Sequence, residues 1–231
     1  MATRVGAIGR AVSLSLAVLL PALMAAPALS QISSQQIRKR YQKDTKGTSI
    51  EDFVKRLESD DPEKRLEAVK SLGNSKDKKA VEYIIQALGD SDMRVQAKAI
   101  DMLAEMRAAN AAPVLIQYLF LRTTETQMKQ RILAALGKIG DARAARPIIE
   151  FLRRDLDRAT RGTAIFALGD IGAPESVDTL SQIAKADHDE IVRRLAREAL
   201  YKVRLHQEVQ EKEVKEPSET FLQPNAPPPR R

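Results

Sequence analysis

The run Asp157-Arg158-Ala159-Thr160-Arg161-Gly162-Thr163-Ala164-Ile165-Phe166-Ala167-Leu168-Gly169-Asp170-Ile171-Gly172 is a helix written with both of its ends. Asp157 is a strong N-cap residue, because its carboxylate accepts from the unpaired first-turn amides and meets the positive end of the helix dipole. Ala164 and Leu168 stand four apart, on one face. Gly169 follows as the expected end of the helix.

The same writing recurs along the 231-residue chain. Counterparts of Leu168 are Leu72, Leu103, Leu136 and Leu200, at spacings of 31, 33, 32 and 32 residues. Eleven residues before each leucine stands Asp61, Asp92, Glu125, Asp157 or Asp189. Four before it stands Ala68, Ala99, Ile132, Ala164 or Ala196. Mostly small residues in that second column let neighbouring helices approach closely. Glu125 is the weak cap of the set, so Thr123, Thr124 or Thr126 are alternative starts. Gly73 and Gly137 are read as helix ends alongside Gly169.

A second helical run precedes each of these. Its anchors are Leu57, Leu88, Leu119, Leu152 and Ile183, within runs such as Ile50-Phe53-Val54-Leu57 and Val81-Ile84-Ile85-Leu88. Spacings of three and four are the helical period. Thr48 with Glu51 matches a capping box, and Pro113 and Pro147 fall where a first-turn proline is tolerated. The unit is helix, turn, helix, repeated five times over residues 48–204. Such units bury their apolar faces only by stacking, so the expected fold is an all-α solenoid, a right-handed superhelix of about ten helices with no strand.

Asp189-Glu190-Ile191-Val192-Arg193-Arg194-Leu195-Ala196-Arg197-Glu198-Ala199-Leu200 resembles the second helix of a HEAT-like repeat, of the subtype also found in phycobilisome lyases, and Asp157–Gly172 resembles it equally well. The resemblance covers about two-thirds of the chain. It implies protein–protein scaffolding, with the second helices lining the concave face. A lyase-like or accessory enzyme is the alternative it leaves open. Relatives with hydroxylase activity hold iron through paired His-Glu ligands. No His-Glu pair occurs here, which excludes that branch.

The flanks read differently. Arg4 and Arg10 precede an apolar run from Val12 to Ala26 that Pro21 interrupts. It is too short to span a bilayer comfortably. Ala26-Pro27-Ala28 and Ala28-Leu29-Ser30 both fit a small-x-small cleavage pattern, so residues 1–30 are expected to be a secretory signal peptide cut after Ala28 or Ser30, with an uncleaved anchor as the alternative. Periplasmic or secreted localisation is the consequence. Residues 31–47 hold five bases, Arg38, Lys39, Arg40, Lys43 and Lys46, against the single acid Asp44. They are candidates for weak contact with an anionic envelope surface, or for a solvated linker. The repeat region holds 27 bases and 25 acids of a chain whose formal charge is +7, so it is not a nucleic-acid-binding surface by charge. Residues 205–231 are charged and then Pro-rich and read as a disordered tail, although Glu208–Glu216 can extend the last helix.

Catalytic chemistry has little to work with. The chain has no Cys, which excludes disulfides, thiolate nucleophiles and zinc-thiolate sites. Its two histidines are His188 and His206. Asp187-His188-Asp189 reads as a turn before a helix rather than a metal site. No Gly-rich phosphate loop, Gly-x-Ser-x-Gly elbow or His-Glu-x-x-His motif occurs. No cofactor or metal is expected.

Two columns bear on binding. Seven residues before the leucines stand Arg65, Gln96, Lys129, Arg161 and Arg193, either a basic ladder for an acidic ligand or, as the preferred reading, partners for the repeated cap carboxylates of the same or next repeat. Two and six residues before the leucines lie the outward positions, mostly polar or small. Phe166 is the exception. With Ala134 and Gly162 beside it, and Arg131, Lys138, Asp170, Arg194 and Glu198 as a rim, it is either an interface anchor or a ring buried between the fourth and fifth repeats.

Overall fold

The computed structural model describes residues 49–215 except Asp155, with side chains to Lys212. The chain divides into two units, residues 1–46 and 47–231, and every described residue belongs to the second. Residues 1–30 with the expected leader, the basic segment 31–47, Thr48 and residues 216–231 lie outside the described residues.

Ten α-helices and no strand are present among the described residues. Five first helices, α1 (Ile50–Leu57), α3 (Ala80–Gln86), α5 (Ala112–Phe120), α7 (Ala145–Leu152) and α9 (Val177–Ala186), alternate with five second helices, α2 (Pro62–Asn74), α4 (Met93–Glu105), α6 (Thr126–Ile139), α8 (Arg158–Ile171) and α10 (Glu190–Lys215). None is long and apolar enough to cross a membrane.

The predicted starts of the second helices hold. The amides of Glu63, Arg94, Thr160 and Ile191 donate to the carboxylates of Asp61, Asp92, Asp157 and Asp189 at 2.8–3.0 Å. Each such cap is worth about 1 kcal/mol. Glu125 is the N-cap residue of α6 but makes no side-chain cap bond, the weakness its longer side chain implies. At α1 the expected Thr48–Glu51 box shifts by one residue. Ser49 is the cap, accepting from the Asp52 amide at 3.2 Å and donating to the Asp52 carboxylate at 3.1 Å.

The predicted ends need correcting. Gly73, Gly137 and Gly169 lie inside α2, α6 and α8, all buried. They are glycine because the next second helix comes too close for a side chain. A methyl group on Gly137 would lie 3.0 Å from the Ala167 Cα. The helix stops are Gly140 and Gly172, at φ +74° and +71°, the left-handed conformation that ends a helix.

Packing follows the columns. Leu72, Leu103, Leu136 and Leu168 are fully buried, as are Ala68, Ala99, Ile132, Ala164 and Ala196. Leu200, in the last repeat, is half-buried. Consecutive second helices touch, α2 to α4, α4 to α6, α6 to α8 and α8 to α10, and each first helix packs on its own second helix. One apolar core runs unbroken along the stack. At about 1.5–3 kcal/mol per fully buried Leu or Ile, this shared core is what holds the repeats together. The fold is an α-solenoid whose second helices form one continuous layer.

The boundary expected at residue 204 falls short. α10 continues to Lys215, because no Gly or Pro interrupts Glu190–Lys215.

Candidate partner-binding surface

Inter-repeat polar contacts engage much of the charge that sequence alone leaves available. Arg65 forms a two-pronged pair with Asp90, Nε and Nη2 each 2.8 Å from a carboxylate oxygen, and also donates to the Ser59 carbonyl. Arg161 reaches Asp187 at 2.8 Å. Gln96 and Arg193 of the same column donate to the backbone carbonyls of Asp90 and Asp187. The pairing expected with the cap carboxylates is thus corrected: Arg65 and Arg161 pair with an aspartate two residues ahead of the next cap, and Gln96 and Arg193 bond the backbone carbonyl of that same aspartate. Asp90 and Asp187 each also accept the amide of the following cap aspartate, at 2.8 and 2.9 Å. The Arg65 hydrogen bond holds the Asp90 carboxyl below its ordinary range. These aspartates are structural staples of the inter-helix turn.

The carboxylates around His188 are engaged in the same way. Asp187 pairs with Arg161, and Asp189 caps α10 while pairing with Arg158. Burial pushes the Asp189 carboxyl up, but the Ile191 amide and the Arg158 guanidinium outweigh it and hold it low. Among the described residues no group of three acid or imidazole side chains converges as a metal site would require.

Phe166 is half in water, with 50% of its surface exposed. α8 presents it on the second-helix layer, one turn past Gly162. The Lys202 ammonium of α10 stands 3.7 Å from the ring centroid, and is itself fixed by Asp170 at 2.6 Å. A cation so placed is attracted by the negative face of the ring, and the Asp170 pair holds it there. Beside the ring opens a cleft of about 390 Å³ between α8 and α10, lined by Arg158, Ala159, Gly162, Thr163, Phe166, Ile191 and Leu195. Its walls are chiefly apolar: Ile191 is 42% exposed and Leu195 half-buried.

The other expected site residues divide. Gly162 is not outward-facing as the helical wheel implied. It is buried, because Leu195 leans over it, with Cδ1 only 3.1 Å from where a methyl group at Gly162 would lie. Arg131, Ala134 and Lys138 line a separate cleft of about 490 Å³ between α4 and α6, where Arg131 pairs with Asp101 at 2.7 and 2.8 Å. Arg194 and Glu198 sit on α10 but line neither cleft. Sequence reasoning missed Lys202, Ile191 and Leu195. The repeat register offered a signal for the first: Lys202 stands 32 residues after Asp170, in the same column of the next repeat.

A family model described as HEAT repeats matches residues 50–123 and 118–201, which together cover most of the chain. Among solved structures, the chain is similar to the complex of CpcE and CpcF of phycocyanin lyase from Nostoc sp. PCC7120, at 22% identity and TM-score 0.56, covering 72% of this chain and 69% of that one. It is also similar to an engineered protein, at 22% identity and TM-score 0.50, covering 72% and 83%. Among curated proteins no sequence match was found. With both repeat helices, their caps and their stacking in place, this chain belongs to the HEAT-repeat family.

Proposed function

We propose that this chain is a non-catalytic scaffold of the periplasm or cell envelope that binds a partner protein on its second-helix layer, with Phe166 as the anchor. The exposure of Phe166 beside an apolar cleft carries this reading. Monomeric proteins scatter apolar side chains over their surfaces, but a ring pinned by Lys202 and flanked by Ile191 and Leu195 forms a small continuous patch. Arg158 at its margin suits a partner segment that offers an aliphatic or aromatic side chain next to a carboxylate.

Export rests on the leader-like residues 1–30, and weak contact with an anionic surface on Arg38, Lys39, Arg40, Lys43 and Lys46. Purification of the tagged chain from the exported fraction tests the whole reading. The expected result is a stoichiometric protein partner that is lost on Phe166→Ala. The mature N-terminus should be Leu29 where cleavage follows Ala28, or Gln31 where it follows Ser30. Finding the chain in the cytoplasm with its leader uncut removes the export part. Turnover of a small molecule without any protein partner favours the lyase-like alternative, to which the CpcE–CpcF likeness adds the fold and not the activity. Loss of residues 31–47 without effect on binding to anionic vesicles removes the surface contact.

A further inference from the structure

We propose that the exposed face of α10 is a self-association surface, on which it pairs antiparallel with α10 of a second copy. In the inner repeats, the residue after each repeat leucine is small, Gly73, Ala104, Gly137 and Gly169, because the next second helix packs there. The last repeat places Tyr201 at this position, 69% exposed. Leu205 and Val209 follow at four-residue intervals on the same face, 47% and 48% exposed. A solenoid normally closes its ends with a polar face, and this last helix carries an apolar stripe among its exposed charges.

α10 also runs on past the end of α8. His206 lies against Gly172, the C-cap of α8, where a methyl group would meet its ring at 2.6 Å. The nine residues after it continue as helix to Lys215. A helix that short gains little from its own hydrogen bonds, and an amphipathic face of this kind is ordinarily held by packing.

The pattern of the stripe selects its occupant. Tyr201 and Val209 stand four residues to either side of Leu205, and Glu198 and Lys212, both exposed, stand seven residues to either side. Seven residues is two helical turns, so all five share one face. A two-fold axis at Leu205 sets Leu205 on its own copy, Tyr201 against Val209 of the second copy, and Glu198 against Lys212 of the second copy, at both ends at once. A parallel pairing would oppose like charges instead. Self-complementarity of this kind is what a two-fold interface requires.

Sedimentation of the full chain from about 1 to about 100 µM, the range suited to a small interface, tests the proposal. The expected mass rises from 25.6 kDa toward twice that value. Leu205→Glu, which buries two like charges on the axis, leaves a monomer with unchanged helicity by circular dichroism. Glu198→Lys and Lys212→Glu each weaken association about ten-fold, and the two together restore it. Because the chain has no Cys, Leu205→Cys adds a single thiol at the axis, and mild oxidation should link it to its own copy. A chain that stays monomeric throughout overturns the proposal and gives the stripe to residues 216–231 or to another protein. A dimer indifferent to Leu205→Glu, or a double exchange that fails to restore association, overturns it as well.

Discussion

A methyl group on Gly169 would stand 2.9 Å from the Cα of Ala199, closer than real side-chain carbons come. The neighbour is backbone of the next second helix, so no rotamer change relieves it. Gly169→Ala therefore sets two effects against each other. The helix interior gains about 1 kcal/mol from the better helix former, and the overpacked contact costs about 1–3 kcal/mol. Overpacking wins, and the same holds at Gly137 against the Ala167 Cα at 3.0 Å. Both variants should melt lower than the parent in a thermal scan. An unchanged or higher melting temperature would mean that the second helices separate more easily than the packing implies.

The left-handed positions predict a gain. Four residues after the repeat leucine stand Lys76, Arg107, Gly140 and Gly172, all at positive φ, with Lys76 at +55° and Arg107 at +48°. The two glycines adopt this conformation freely, whereas the two cations carry about 1–2 kcal/mol of backbone strain. Replacement by glycine relieves the strain but adds about 0.4–1 kcal/mol of unfolded-chain entropy. Lys76→Gly and Arg107→Gly should each stabilise by about 0.5 kcal/mol in chemical denaturation, with unchanged slope. A loss instead would indicate that the side chains hold the turns by contacts of their own.

Much of the fold was legible in the sequence. The period repeats five times, the carboxylate caps and the buried leucine four times, and the physics of each is local or lies one repeat away. What escaped was set by the distance between helices. Gly73, Gly137 and Gly169 read as helix ends because glycine ends helices, and only the approach of Met102, Ala167 and Ala199 shows them as packing residues. Gly162 read as outward on a single helical wheel, but Leu195 of the next repeat covers it. The site split for the same reason. Arg131 and Phe166 stand in adjacent repeats on one layer, yet each cleft is bounded by the helix of a different neighbour.

Acid should weaken the fold through its cap and staple carboxylates. The Arg94 side chain and amide hold Asp92 down to about 2, Thr160 lowers Asp157, and Arg65 lowers Asp90. Folded-state values below the ordinary one mean that the unfolded chain binds more protons as pH falls. The stability from these groups is thus fully present above about pH 5 and lost progressively down to about pH 2. Thermal melts at stepped pH should show the melting temperature falling across that window, and Asp92→Asn should flatten the fall. A fall confined to pH above about 5 would assign the sensitivity to other groups.

Phe166→Ala separates anchoring from architecture. A fully buried phenylalanine costs about 3–5 kcal/mol when truncated, through lost burial and the cavity left behind. Phe166 is half exposed, and removing it leaves no closed cavity. The loss should be about half of the transfer term plus the attraction of Lys202 for the ring, in all about 1–2 kcal/mol. An anchor at the centre of an interface contributes at least about 2 kcal/mol to binding, roughly a thirty-fold change in affinity. Binding should therefore fall by that factor or more while the melting temperature drops by only a few degrees. Lys202→Met, which keeps the aliphatic stem over the ring, should keep most of the stability and isolate the part owed to the charge. A large fall in melting temperature with no change in affinity would make Phe166 a stacking residue of the fourth and fifth repeats, and would move the search for the partner site to the α4–α6 cleft around Arg131 and Lys138.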